Sequence, residues 1–318
     1  MSAPSRRIPV AKLTRVIVDN DYAGDPDGLV ALAHQLLTES TEVVAITGTT
    51  LTPPHDMPGG VPGSAQSAAR EVVQWLTPTT EPAVPADTST PFLELTSIPD
   101  ASRVILDEAE KSSDLPLFVT CGGPLTNIAA ALREDPTLAE RMTLCWIGGG
   151  AHPEGGWEYN LALDTPAAQF VFNESSAEIH QFPLTTYRQC AYSIAELEFV
   201  LSGGGPFGAW LYERFTNPPR AIRIGDHWPQ GDSPVGGGVA GAAPAAVAVA
   251  DQALDQIGRI ETLQRLHAPQ EPGLNVHDAV DVLKVARQFG EGAFDLAGSF
   301  SEIALLERDI LRSARRLP

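Results

Sequence analysis

The sequence predicts an α/β protein: a mainly parallel central sheet with helices on both faces and additional helices toward the C-terminus. Two observations carry this expectation. Short apolar runs that read as buried strands alternate with segments of helical spacing. The runs also end in turns rich in glycine or aspartate (VDNDYAGD, VTCGG and WIGGG). Such turns fall at the carboxyl ends of strands, where open α/β sheets bind their ligands.

TRVIVD (14–19) has the pattern of a buried strand, and PDGLVALAHQLL (26–37) follows with Leu29, Leu32, Ala33 and Leu36 at helical spacing. Pro26 suits a first helical turn and Asp25 suits an N-cap. EVVAIT (42–47) predicts a second strand, then a Pro/Gly-rich loop and a helix over 64–77. PLFVT (116–120) runs through a glycine turn into the helical CGGPLTNIAAAL, and MTLCWIGGG (142–150) precedes the helical TPAAQFVFN. From about 202 onward glycine and proline are dense, with helices between them and a helical segment at 302–316. No linker divides the chain and no repeat is visible, so a single domain over 1–318 is expected.

A formal net charge of -19 excludes the usual electrostatic partners, nucleic-acid backbones and anionic membranes. Cys121, Cys145 and Cys190 form no framework or CxxC pair, which suits a reducing compartment. Arg6 and Arg7 precede no apolar stretch before Lys12, and GVAGAAPAAVAVA is too short and proline-broken to span a bilayer. A cytoplasmic location is therefore expected.

Asp19, Asp21, Asp25 and Asp27 crowd nine positions after the first strand. Turns favour aspartate, and Asp25 alone is explained by capping. Four carboxylates around one point instead call for a hard cation, Ca²⁺ or Mg²⁺, whose oxygen ligands they would be. A helix N-terminus adds a favourable field. A DxD at the end of a first strand suits two enzyme classes, the haloacid-dehalogenase-like phosphatases with Mg²⁺ and the calcium-dependent nucleoside hydrolases. The phosphatase reading also needs a catalytic lysine after a suitable strand, and Lys12, Lys111 and Lys284 are the only lysines.

VVAITGTT (43–50), CGGPLTNIAAAL (121–132), CWIGGG (145–150) and EYNLALDTPAAQFVFN (158–173) resemble, in order and spacing, the segments of the inosine-uridine-preferring nucleoside hydrolase family. The resemblance covers roughly the first 175 residues. It implies a nucleoside-hydrolase-like fold, Ca²⁺ as cofactor and hydrolysis of the N-glycosidic bond of ribonucleosides. It also implies a small-molecule nucleoside or ribosyl substrate and a homo-oligomer, dimer or tetramer. Asp21 matches the family aspartate that holds Ca²⁺ and activates the attacking water, and Asp19 its orienting neighbour. Gly122 matches the position whose main-chain carbonyl binds the metal. Glu158 and Asn160 match residues that hydrogen-bond the ribose hydroxyls.

The first motif departs from the family pattern. The paired aspartates before the apolar helix read Asp27-Gly28, with two residues inserted ahead of them. Asp25 and Asp27 then divide the remaining metal and sugar roles; Asp27 on the metal and Asp25 on sugar or water is the favoured division. The last metal ligand lies either at Asp232, in QGDSPV, or at Asp278, in NVHDAV. Order and spacing favour Asp232. Gly231 then stands where the family has the histidine that protonates the leaving base. His227, with Trp228 beside it, His55 and His152 are the candidate donors. A competing reading keeps the fold but binds a ribosyl or other sugar ligand with little turnover. Base preference stays open.

Overall fold

The computed structural model describes residues 10–51, 61–151, 155–217 and 227–232. The chain divides into two units, 1–267 and 268–318, and every described residue belongs to the first. The predicted helix at 302–316 and Asp278, His55 and His152 lie outside the described residues.

The elements run β1 (Thr14–Asn20), α1 (Asp27–Leu37), β2 (Thr41–Gly48), α2 (Ser64–Leu76), α3 (Asp100–Glu110), β3 (Leu117–Cys121), α4 (Thr126–Glu134) and β4 (Thr143–Ile147). They continue with α5 (Tyr159–Leu163), α6 (Thr165–Glu174), β5 (Glu178–Phe182), α7 (Leu184–Tyr187), β6 (Ala191–Ser193), α8 (Ile194–Ser202), α9 (Gly205–Thr216) and β7 (His227–Pro229). The strands and helices expected from periodicity up to α6 each form within a residue or two, except that the helix of the GPLTNIA segment starts only at Thr126. The helices α3, α5, α7 and α8, the edge strand β5 and the ribbon of β6 with β7 were not anticipated.

Five strands form one parallel sheet in the order β2-β1-β3-β4-β5. Every residue of β1 is buried, as a strand flanked on both sides and covered on both faces requires. Its side chains alternate between two cores. Val16 and Val18 pack into the core that includes Val30 and Leu32 of α1, Val72 of α2 and Leu201 and Leu211 of α8 and α9. Ile17 packs into the other, with Ile105 of α3, Ile128 of α4 and Val171 of α6. The expected helices on both faces are therefore present. In this strand order the connections turn in opposite directions from β1 and β3, so a crevice opens between their carboxyl ends.

One expected local feature differs. The helix α1 starts at Asp27, its N-cap is Pro26, and no side chain caps it. The aspartate at 27 supplies the first-turn carboxylate instead. Trp228 is a core residue: it is buried, edge-on to Phe215 at 5.6 Å, and its indole N–H donates to the Phe215 carbonyl.

The three cysteines are unpaired and buried. Among the described residues no helix is long and apolar enough to cross a membrane. At the amino end of β1, Arg15 donates to both the carbonyl and the carboxylate of Glu108, each at 2.8 Å, in a buried pair. Lys111 reaches the other carboxylate oxygen at 2.6 Å from a more exposed position. Removing Arg15 leaves a buried carboxylate dependent on that lysine alone. Arg15→Met is expected to destabilise the fold by about 3 kcal/mol, read as a lower midpoint in urea unfolding at unchanged slope.

Candidate active site

The end of β1 sets the site by register. Asp19 lies opposite Thr47 of β2 and Cys121 of β3. Its Oδ2 accepts from Thr47 at 2.6 Å and from the carboxamide of Asn127 at 2.7 Å, and Cys121 contributes a longer Sγ–H contact to Oδ1 at 3.5 Å. Burial raises the Asp19 carboxyl from its ordinary range, and these donors work against that rise. Asp19 is thus a bracket between strands, consistent with an orienting role.

The chain then leaves the sheet. Asn20 is buried; its Nδ2 donates to Asp232 at 2.9 Å, and its Oδ1 accepts the backbone N–H of Asp21 at 2.7 Å. A side chain at Gly28 would begin 3.0 Å from Asn20 Oδ1, and one at Gly122 would begin 2.4 Å from Asn20 Nδ2 and 2.7 Å from the Asp232 carboxyl carbon. The close approach requires glycine at 122, and a side chain at 28 would press on the same amide. Asn20 was not singled out in the sequence, because its partner lies 212 residues away.

Asp21, half-buried, is pushed up to about 8 by desolvation first and by the Asp25 charge next, with Asp19 and Glu158 adding to the rise. Asp27 and Asp232, both buried, are likewise raised, by desolvation and then by neighbouring aspartates: Asp232 acts on Asp27, and Asp21 on Asp232. The Gly231 N–H donates to Asp27 Oδ2 at 2.9 Å, while Oδ1 of Asp27 is buried without a partner. Asp25, half-buried, stands close enough for its charge to add to the rise at Asp27.

On the facing side, α5 presents the EYN segment. Glu158 caps that helix: its Oε2 accepts the N–H groups of Leu161 at 2.9 Å and Gly149 at 2.8 Å. Tyr187 donates its hydroxyl to Oε1 at 2.7 Å. The Asn160 carboxamide donates to the carbonyls of Gly122 and Ile147, both at 3.0 Å, leaving its oxygen as an acceptor. The structure therefore brings Asp21, Asp25, Asp27, Gly122, Glu158, Asn160 and Asp232 together. His227 is exposed on β7 beside Glu196. Tyr187 was missed in the sequence, where nothing marks it apart from other aromatic residues.

The donors are all oxygens, and the orphaned Asp27 Oδ1 together with the crowded, upward-shifted acids fits a hard cation. Among the described residues no three His, Cys, Asp or Glu side chains close into a metal-holding group.

Comparison with known proteins identifies the family. The sequence model of the inosine-uridine preferring nucleoside hydrolases matches residues 58–287, a span that holds Gly122, Glu158, Asn160 and Asp232 but begins beyond the β1 aspartates. A pyrimidine-specific ribonucleoside hydrolase of Enterobacter is 29% identical over 124 residues, 37% of this chain and 39% of its own. An inosine-uridine preferring nucleoside hydrolase of Crithidia fasciculata is 34% identical over 79 residues, 24% of this chain and 25% of its own. The chain thus spans well under half the length of these curated relatives. The structure of a purine-preferring ribonucleoside hydrolase from Gardnerella vaginalis shares the fold, with a TM-score of 0.57 at 18% identity over 79% of this chain and 100% of that one. With the model covering most of its length, this chain belongs to the inosine-uridine preferring nucleoside hydrolase family.

Proposed function

We propose that the chain hydrolyses the N-glycosidic bond of ribonucleosides, releasing base and ribose. The observation that carries this reading is the meeting of Asp21, Asp27 and Asp232 with Glu158 and Asn160 at the β1/β3 crevice. Acids on one wall and fixed polar groups on the other suit a polyhydroxylated sugar held between them. Asp21 is the proton acceptor for the attacking water, and a cation held beside it would keep its carboxylate ionised against the upward pull of burial and the neighbouring acids. Positive charge that develops on the ribose ring as the base departs is stabilised by the surrounding carboxylates.

Asp21, Asp27, Asp232 and the Gly122 carbonyl would supply the oxygen donors for Ca²⁺, which when bound supplies charge neutralisation and Lewis acidity. Asp25 stays on the sugar or water side, with Glu158 and Asn160 on the ribose hydroxyls and Asp19 supporting. Asp232, rather than Asp278, takes the last metal position; its bond from Asn20 supports that choice. The relatives act on pyrimidine or purine nucleosides by name, so both belong in the substrate panel. A cytoplasmic homo-oligomer acting on small molecules rather than nucleic acid completes the proposal.

One observation favours the binding reading as a second possibility: glycine at 231 supplies no acid for the leaving base. Calcium-dependent thermal stabilisation by ribose, without sugar release from any nucleoside, identifies that case.

Asp21→Asn is expected to reduce ribose release from uridine and inosine by at least a thousandfold while the circular dichroism stays native. EDTA should inhibit the wild type and added Ca²⁺ restore it. Full activity in either arm removes the corresponding assignment.

The acids also set a pH dependence. A folded-state value for Asp21 near 8, against an ordinary 3.8, means the native state holds the extra proton between those values. In EDTA, stability contributed by this group is present at low pH and declines as pH rises from about 4 to about 8. Melting temperatures across that range should fall less steeply for Asp21→Asn, and also for wild type with Ca²⁺; identical slopes in all three would reject the shift.

A further inference from the structure

Glu158 is held at three points. Two backbone N–H groups fix Oε2 and the Tyr187 hydroxyl fixes Oε1. A carboxylate offers about four acceptor positions, so one remains, on the oxygen that Tyr187 also touches. Tyr187 sits at the end of α7, directly after the edge strand β5. Burial, and then the Glu158 charge, push its phenol up, so it remains a donor throughout the neutral range.

The same ring reaches the acid side of the crevice. A side chain at Gly231 would begin 3.0 Å from Tyr187 Cδ2 and 3.3 Å from Asp27 Oδ2. The ring therefore lies against Gly231, and a side chain there would press on it. One residue spans both walls, touching the glutamate proposed for the sugar and the turn that carries Asp232.

We propose that Tyr187 is a positioning residue for the sugar: its hydroxyl aims the remaining Glu158 acceptor at one ribose hydroxyl, and its ring lies against Gly231. The proposal rests on the nucleoside-hydrolase reading. A second consequence concerns the leaving base, whose proton must come from a group other than residue 231.

Tyr187→Phe keeps the ring and removes only the hydroxyl. With uridine, kcat/KM is expected to fall about tenfold, chiefly through KM, with the melting temperature close to wild type. Competitive inhibition by 2′-, 3′- and 5′-deoxyuridine separates positioning from packing. For the analogue lacking the hydroxyl that Glu158 receives, the variant should bind as the wild type does; for the others the tenfold loss should persist. Equal losses on all three, or a lowered melting temperature with unchanged KM, overturn the proposal. If the wild type releases ribose from neither uridine nor inosine, the functional reading fails by itself. Calorimetric titration with ribose in Ca²⁺ then decides on Tyr187: a tenfold weaker affinity in Tyr187→Phe supports it. Equal affinities, or no ribose binding by the wild type, reject it.

Discussion

The wedge of the Asn20 carboxamide between two glycines is the constraint on which the site depends. A buried carboxylate such as Asp232 needs a donor, and among the described residues Asn20 reaches it. The amide also holds the backbone of Asp21 where the chain leaves the sheet. Both bonds require the amide to lie against α1 on one side and the β3 turn on the other. That space exists because residue 122 has no side chain, and a side chain at 28 would press on the amide from the other side.

Around that wedge, the GPLTNIA segment acts as a fastening. Thr126 donates to Asp164 at 2.7 Å, tying α4 to the start of α6, and Asp164 also accepts the Phe92 N–H. Asn127 donates to Asp19 and to the Gly48 carbonyl while accepting from Thr88. Two neighbouring side chains therefore link the ends of β1 and β2 to the helices beyond the sheet. Every group in this network is buried and satisfied, which makes its geometry unforgiving of substitution. Such a frame lets the acids beyond it remain crowded without collapsing into one another.

The sheet was legible because parallel strands covered on both faces must be continuous apolar runs, as VIV and LFV are. The aspartate crowd was legible as a site because like charges at a strand end demand a counter-charge. What the sequence concealed is of two kinds. Asn20 and Tyr187 take their importance from partners 212 and 29 residues away, and neither residue type is distinctive. The start of α1 was misjudged by local propensity: an aspartate before Pro-Asp resembles a cap, but tertiary contact draws the acids toward the crevice instead. Glu158 shows that a capping role and a functional one need not compete, since the cap occupies only one of its oxygens.

Asp25 and Asp27 can be told apart by what surrounds them. Asp27 is buried in the first turn of α1, with one oxygen held by the Gly231 N–H and the other left without a partner. An uncompensated buried oxygen is costly, and a bound cation would remove that cost more fully than a neutral donor would. Asp25 is half-buried, so water or a sugar hydroxyl can satisfy it at little expense. Burial thus sets Asp27 apart from Asp25 as the acid with an oxygen that water does not reach.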